Sequence, residues 1–327
     1  MNSGNKGLAN LGNTCYMNTA LQCLSHLLEF HPQNRLFNKT TGNGLYNEWY
    51  EFQSQMWVDG NETMIVPRKL LQSFIKTCKQ QDICFFNFHQ NDTEEFINIF
   101  MDLLHRSIKT KADISIEGKP NNQLQKLHVE SVKSWSTFFK NDYSYIIQKF
   151  YSQLISITSC PKCDYYTVNF EPFMVLSLEI PDQSNSIYDC LDSYTKKHVL
   201  DLQNTWTCDK CKQQVQPEKK LKLWKTSNVL IILLKRYSKN RKKDDFVSYP
   251  TDLDLHKYSV DVNSLGKQYY LSGIGIQSGS LRGGHYYAMC RNDLDGQWRE
   301  YNDTNVRTVE ESHMLKQKPY CLFYRRK

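Results

Sequence analysis

A chain of 327 residues with 40% hydrophobic and 13% aromatic content can build a real core, as one large domain or two ordinary ones, and is not a disordered chain. Its net charge of +7 is spread along the sequence rather than gathered in a basic stripe or recognition helix, so neither a specific nucleic-acid partner nor a membrane surface is expected. No apolar run reaches transmembrane length, residues 1–6 lack a signal-peptide core, and eleven cysteines without such a signal point to a reducing compartment, cytoplasm, nucleus or both.

The first informative element lies near the start. Gly12, Asn13 and Thr14 are small or turn-forming, and Met17, Leu21, Leu24, Leu27 and Leu28 then recur on one helical face. Cys15 therefore stands at or near a helix start. Unsatisfied N–H groups and the positive end of the helix dipole favour a thiolate there. The same N–H groups can face an oxyanion, and Asn10 can loop back to add a side-chain donor. Taken alone, Cys15 reads first as a small buried hydrophobe, like most free cysteines, and the His285 and Asn302 segments reverse that reading.

Further along, Gln90-Asn91-Asp92-Thr93-Glu94-Glu95-Phe96 precedes Ile99, Phe100, Leu103 and Leu104, again at helical spacing. Asp92 with Glu95 three residues on has the form of a capping box. Two C-x-x-C knuckles follow, Cys160/Cys163 and Cys208/Cys211, with 44 residues between them. Four thiolates can surround one structural Zn²⁺ and leave no open position for a catalytic water. The intervening segment must form structure of its own, strand-like from Thr167 to Leu178 and helix-like from Ser186, a candidate N-cap. Val229-Leu230-Ile231-Ile232-Leu233-Leu234 suits a buried strand. Lys239 to Lys243, followed by Asp244-Asp245, reads as a solvated hairpin loop.

Near the C-terminus, Gly283-Gly284 precede His285 and a run rich in strand formers, Tyr286 to Cys290. The two glycines leave room for a substrate strand to pass close to the backbone. Seventeen positions on is Asn302, with turn chemistry at Asp293, Asp295 and Gly296 between. Two adjacent antiparallel strands would then carry a base and its orienter side by side. A nucleophilic thiol needs a base, and the base needs a polar partner to fix its tautomer. Cys15, His285 and Asn302 supply that set.

The words around Cys15 and His285 resemble the ubiquitin-specific protease family of deubiquitinases. The resemblance extends through Glu48-Trp49 to Trp57, Pro67 to Ile75, Ser159 to Cys163, Phe170 to Leu178, Lys219 to Lys225, Val229 to Tyr237 and Tyr269 to Gly275. Departures are small: Gln90-Asn91-Asp92 where Gln-Gln-Asp is usual, and Tyr237 where Phe is usual. The resemblance implies an α+β, papain-like cysteine peptidase fold with thumb, palm and zinc-bearing fingers. The whole chain would be one catalytic domain, with a helical thumb to about 145, palm and fingers over 146–327, and the fingers near 150–225. It implies thiol-dependent hydrolysis at the C-terminal glycine of ubiquitin by Cys15, His285 and Asn302, through a thioester, assisted by Asn10 and Asp303. Gln90, Asp92, Glu95, Gly283, Gly284 and Tyr286 would contact substrate, the two carboxylates meeting the arginine-containing ubiquitin tail. One structural zinc, ubiquitin and ubiquitinated proteins as partners, and a monomer are expected. Two alternatives stay open at this point: a protease for another ubiquitin-like modifier, and a non-catalytic zinc-ribbon module that binds ubiquitin or nucleic acid.

Overall fold

The computed structural model describes residues 3–39, 44–58, 60–85, 91–238, 241–260, 266–280 and 283–327. After a short strand β1 (Gly7–Leu8), the first part is helical: α1 (Cys15–Ser25), α2 (Gly44–Trp57), strand β2 (Met64–Ile65), α3 (Arg68–Gln80), α4 (Thr93–Ile108), α5 (Gln123–Phe139) and α6 (Tyr145–Phe150). Then come β3 (Ser152–Ser159), β4 (Tyr166–Phe173), β5 (Val175–Leu178), α7 (Ile187–Thr195), β6 (His198–Val199), β7 (Trp206–Thr207), β8 (Gln214–Val215), β9 (Glu218–Lys225) and β10 (Val229–Leu234). The last third holds β11 (Tyr237–Ser238), β12 (Arg241–Lys242), β13 (Asp252–Asp254), β14 (Gln268–Ser280), β15 (Gly283–Arg291), β16 (Trp298–Asn302), β17 (Asn305–Val309), α8 (Glu311–Met314) and β18 (Pro319–Arg326).

An eight-stranded sheet in the order β17-β16-β15-β14-β18-β10-β5, with β13 on β14, forms the centre. The β10 run is apolar throughout because both faces of the sheet are covered. Val229, Ile231 and Leu233 point into the core shared with α1, α2 and α4. Leu230, Ile232 and Leu234 point the other way, into a second core with Ile187 and Leu191 of α7. Burying each such side chain stabilises the fold by roughly 1.5–3 kcal/mol. Truncating Ile231 to Ala would cost about 2–5 kcal/mol, because this packed site cannot collapse around the lost volume.

α1 is buried along its whole length between the sheet and α4. It stops at Ser25, so Leu27 and Leu28 leave the helical stripe that the sequence pattern suggests. At the C-cap the ring of His26 donates from Nδ1 to the Gln22 carbonyl at 2.8 Å, which also accepts the His26 backbone N–H at 3.2 Å. Leu27 is then extended and buried, and Leu28 opens a 3-10 turn with its side chain exposed.

A separate four-stranded antiparallel sheet, β4-β3-β9-β6, projects from this body. Ile155, Phe170 and Trp224 pack beneath α5 on one of its faces. Its far end carries the small β7-β8 hairpin and the four knuckle cysteines. Between the two runs of strand, Ser186 caps α7 through a full capping box with Asp189. β11 and β12 pair antiparallel, and residues 239–240, part of the expected loop, lie outside the described residues.

Candidate active site

The segment before α1 is shaped by one asparagine. Asn10 Oδ1 accepts from the backbone N–H of Gly12 at 3.1 Å and of Thr14 at 3.2 Å, and from the Thr14 hydroxyl at 3.2 Å. Gly12 and Asn13 take left-handed φ of 102° and 54°, which glycine and asparagine tolerate best. This tight turn delivers Cys15 as the first residue of α1, 2% exposed. Thr14 does not cap the helix with its side chain.

Cys15 does not have the depressed pKa expected of a thiol at a helix start. Burial is the largest influence and raises it. The backbone N–H of Tyr286 pulls it down, the negative charge of Asp303 pushes it up, and the N–H groups of Tyr16 and Cys15 itself pull it down again. Burial wins, and the net direction is upward. Making a thiolate here therefore depends on a neighbouring base.

That base stands on the adjoining strand. His285 is on β15, next to Tyr286, whose N–H meets the thiol. β15 and β16 run antiparallel, and His285 Nε2 lies 2.6 Å from Asn302 Oδ1 at the end of β16. An amide oxygen only accepts, so Nε2 carries the proton and Nδ1 of the neutral ring keeps its lone pair. Among the described residues no hydrogen bond joins Cys15 Sγ to the His285 ring.

Asn302 is fixed by a tight hairpin. It pairs with Asn305 across Asp303 and Thr304, and Asp303 adopts a left-handed φ of 49°. β1 pins this turn, because the Leu8 N–H donates to the Asp303 carbonyl at 2.8 Å. A side chain at Gly7 would collide with the Thr304 backbone, so only glycine allows the approach.

Asp303 itself faces α1. Its Oδ2 accepts from Asn10 Nδ2 at 3.0 Å and its Oδ1 from Asn18 Nδ2 at 2.8 Å. Asn18 is absent from the sequence-based candidates. The available signal was a polar residue about one helical turn after Cys15; it is 3% exposed, in a helix buried along its whole length.

The substrate-side candidates are more scattered. Gln90 lies outside the described residues. Asp92 is the N-cap of α4, accepting from the N–H of Glu94 at 2.6 Å and of Glu95 at 3.4 Å. Its other oxygen accepts from the Tyr320 hydroxyl at 2.6 Å. The cap is one-sided, since Glu95 is exposed to solvent rather than folded back. Glu94, not singled out from sequence, is half-buried and accepts from Ser177 at 3.0 Å; burial raises its pKa. The Tyr286 ring is 8% exposed and packs edge-on against Tyr320, so this residue offers its backbone rather than its ring. Gly284 has its missing side chain used within the chain, because a Cβ there would overlap Gln277 and Ser278 of β14. Of these two glycines, Gly283 is the one whose Cβ position meets nothing within 4 Å among the described residues.

The four knuckle cysteines converge. Cys160 and Cys211 sulfurs are 3.8 Å apart, Cys163 and Cys208 sulfurs 3.6 Å, and all four lie within 4.8 Å of one another. A tetrahedral Zn–S distance of about 2.3 Å implies sulfurs about 3.8 Å apart, so this set can hold such an ion.

A family model described as ubiquitin carboxyl-terminal hydrolase matches residues 6–324. Ubiquitin carboxyl-terminal hydrolase Usp2 of Drosophila melanogaster is 30% identical over 335 residues, covering 98% of this chain and 34% of that protein. Human ubiquitin carboxyl-terminal hydrolase 2 is 30% identical over 338 residues, covering 98% of this chain and 55% of that one. The chain thus spans between a third and about half the length of these two relatives. Among solved structures, the SAGA Ubp8/Sgf11/Sus1/Sgf73 DUB module bound to ubiquitin aldehyde superposes with a TM-score of 0.76 at 25% identity, covering 100% of this chain and 70% of that chain. The mixed helix-and-sheet fold matches the catalytic domains of ubiquitin-specific proteases, and with the family match over nearly its whole length this chain belongs to the ubiquitin carboxyl-terminal hydrolase family.

Proposed function

We propose that this chain is a cysteine-type deubiquitinase that hydrolyses the peptide or isopeptide bond at the C-terminal glycine of ubiquitin. The observation that carries the reading is the 2.6 Å contact of His285 Nε2 with Asn302 Oδ1, on strands packed against the helix that buried Cys15 begins. The family match and the ubiquitin aldehyde bound to a similar DUB module support ubiquitin as the partner. In this reading residues to about 145 are the thumb, and the four-stranded sheet with its cysteine tip forms the fingers.

The steps follow from the residue types. His285 Nδ1 takes the thiol proton, and Asn302 holds the ring in the tautomer that leaves Nδ1 available. The thiolate attacks the terminal glycine carbonyl of ubiquitin. The developing oxyanion meets N–H groups at the start of α1 and the Asn10 amide. His285 returns the proton to the departing amine, leaving a thioester, and then activates the water that hydrolyses it. Asp303 acts through Asn10 and Asn18 rather than on the imidazole. Asp92 and Glu95 offer negative charge to the cationic tail of ubiquitin.

Cys160, Cys163, Cys208 and Cys211 would hold one Zn²⁺ that clamps the finger tip without reacting, since four thiolates fill its coordination. Turnover of a fluorogenic reporter on the ubiquitin C-terminus tests the proposal. We expect hydrolysis by the native chain and none by Cys15→Ala or His285→Ala. A clear preference for a reporter built on another ubiquitin-like modifier would replace ubiquitin as the substrate.

A further inference from the structure

A second cavity lies where the finger sheet joins the body. It has a volume of about 330 Å³, and its walls come from α5, β3, β9, the segment around Ser259, and the ends of β14 and β18. None of its lining residues belongs to the candidate active site around Cys15. Three of its lining residues are cationic, Lys225, Lys267 and Arg326.

None of the three has a carboxylate partner among the described residues. Lys267 is 5% exposed, yet no described residue gives its ammonium group a hydrogen bond or ion pair. Lys225 lies over the Trp135 ring at 4.8 Å. Its pKa is held down by desolvation and then by the charge of Arg326, a second cation and not a counterion. The Arg326 guanidinium donates to the Thr226 and Ser227 carbonyls, but its buried Nε has no partner. The buried Ser259 hydroxyl has none either. Gly266, with φ 93°, lets Arg326 lie against the backbone, since a Cβ there would sit 3.1 Å from Arg326 Cδ. Trp135 and Trp224 supply apolar walls, and His128 lies against Trp224 with ring centroids 4.8 Å apart.

Setting Lys225 beside Arg326 and lining the same cavity with Lys267, with two unpaired buried polar atoms, is unfavourable unless something negative offsets it. The missing charge is more than one unit, which favours a phosphoryl dianion over a single carboxylate. Arg with Lys is the usual donor set for phosphate, and a serine hydroxyl adds a donor. The volume exceeds that of one phosphate, given about 30 Å³ per water in liquid, and the tryptophans can hold an attached apolar group.

We propose that this pocket binds a phosphate-bearing small molecule, held by Lys225, Lys267, Arg326 and Ser259. The test is a tryptophan-fluorescence titration of the full chain with inorganic pyrophosphate at constant ionic strength. A phosphoserine peptide and its unphosphorylated form make the second arm. We expect saturable pyrophosphate binding that weakens at least ~10-fold in Lys267→Met and in Lys225→Met, equal to 1.4 kcal/mol or more. Melting temperatures without ligand establish that both variants are folded, and Lys257→Met, outside the pocket, should bind as the native chain does. Tighter binding of the phosphopeptide than of pyrophosphate, lost in the same variants, would keep the phosphoryl chemistry and make the ligand a phosphorylated protein. Absence of saturable binding in either arm, or binding equal in the native chain and both pocket variants, would overturn the proposal.

Discussion

Asn10 donates its side-chain amide to Asp303 at 3.0 Å, across 293 positions of sequence. With the Leu8 and Asn18 bonds to Asp303, this hydrogen bond holds the turn before the thiol and the turn after Asn302 against each other. The carboxylate that fixes Asn10 also adds negative charge beside Cys15 and so opposes thiolate formation. Positioning and thiol activation are therefore in competition at Asp303.

Asn10→Ala should lower kcat by roughly 10- to 1000-fold, the range seen when an oxyanion donor is lost. KM for a ubiquitin reporter should change little. An unchanged kcat would remove Asn10 from the oxyanion site.

Asp303→Asn should act in two opposed ways. Losing the carboxylate frees Asn10 and Asn18, and the maximum rate should fall. Losing its charge removes one cause that raises the Cys15 pKa, so that pKa should drop. The ascending limb of the kcat/KM profile, which reports thiol deprotonation in the free enzyme, should then move to lower pH. A limb that moves to higher pH would contradict the assignment.

Asn302→Ala should cost roughly 10- to 100-fold in turnover, part of the 10²–10⁴ that a positioned base supplies. Loss of Cys15 or His285 should cost more, and the double variant of Asn302 and Asp303 should be worse than either alone. Steady-state kinetics against the ubiquitin reporter would settle the order.

Asp92→Asn separates capping from recognition. Asparagine caps about as well as aspartate, so the melting temperature should shift by no more than about 2 °C. A hydrogen bond to a charged group is worth ~1.5–3 kcal/mol, so kcat/KM on ubiquitin substrates should fall at least ~10-fold. A silent substitution would leave Asp92 as the cap of α4 and the acceptor for Tyr320.

Purified protein should carry about one Zn²⁺ per chain, and chelation should lower the melting temperature. Cleavage of a small reporter should suffer less than stability does, because the ion would sit at the finger tip. Elemental analysis without zinc, on protein with intact reduced cysteines, would remove the metal.

Features set by local chemistry were readable from sequence. The N-cap at Ser186, the start of α1 at Cys15 and the apolar β10 run each follow from residues a few positions apart. The convergence of four cysteines was readable from paired spacing. Features set by tertiary meeting were not. The partner of Asn18 is 285 positions away, and its contact exists only because α1 docks against the β16–β17 turn. Gly7 looks like any loop glycine until Thr304 is seen against it. The raised Cys15 pKa depends on how deeply the sheet buries the helix start, which no local pattern reveals. Gly284 suggested room for substrate, but its neighbour strand takes that space.

The most direct test of the account is covalent capture. Ubiquitin carrying a thiol-reactive group at its C-terminus is incubated with the full chain, and the adduct is measured by intact mass and peptide mapping. The account predicts one ubiquitin per chain, attached to Cys15, and none on Cys15→Ala. No adduct on folded protein, or an adduct mapped to Cys78, Cys84 or Cys290, would contradict it.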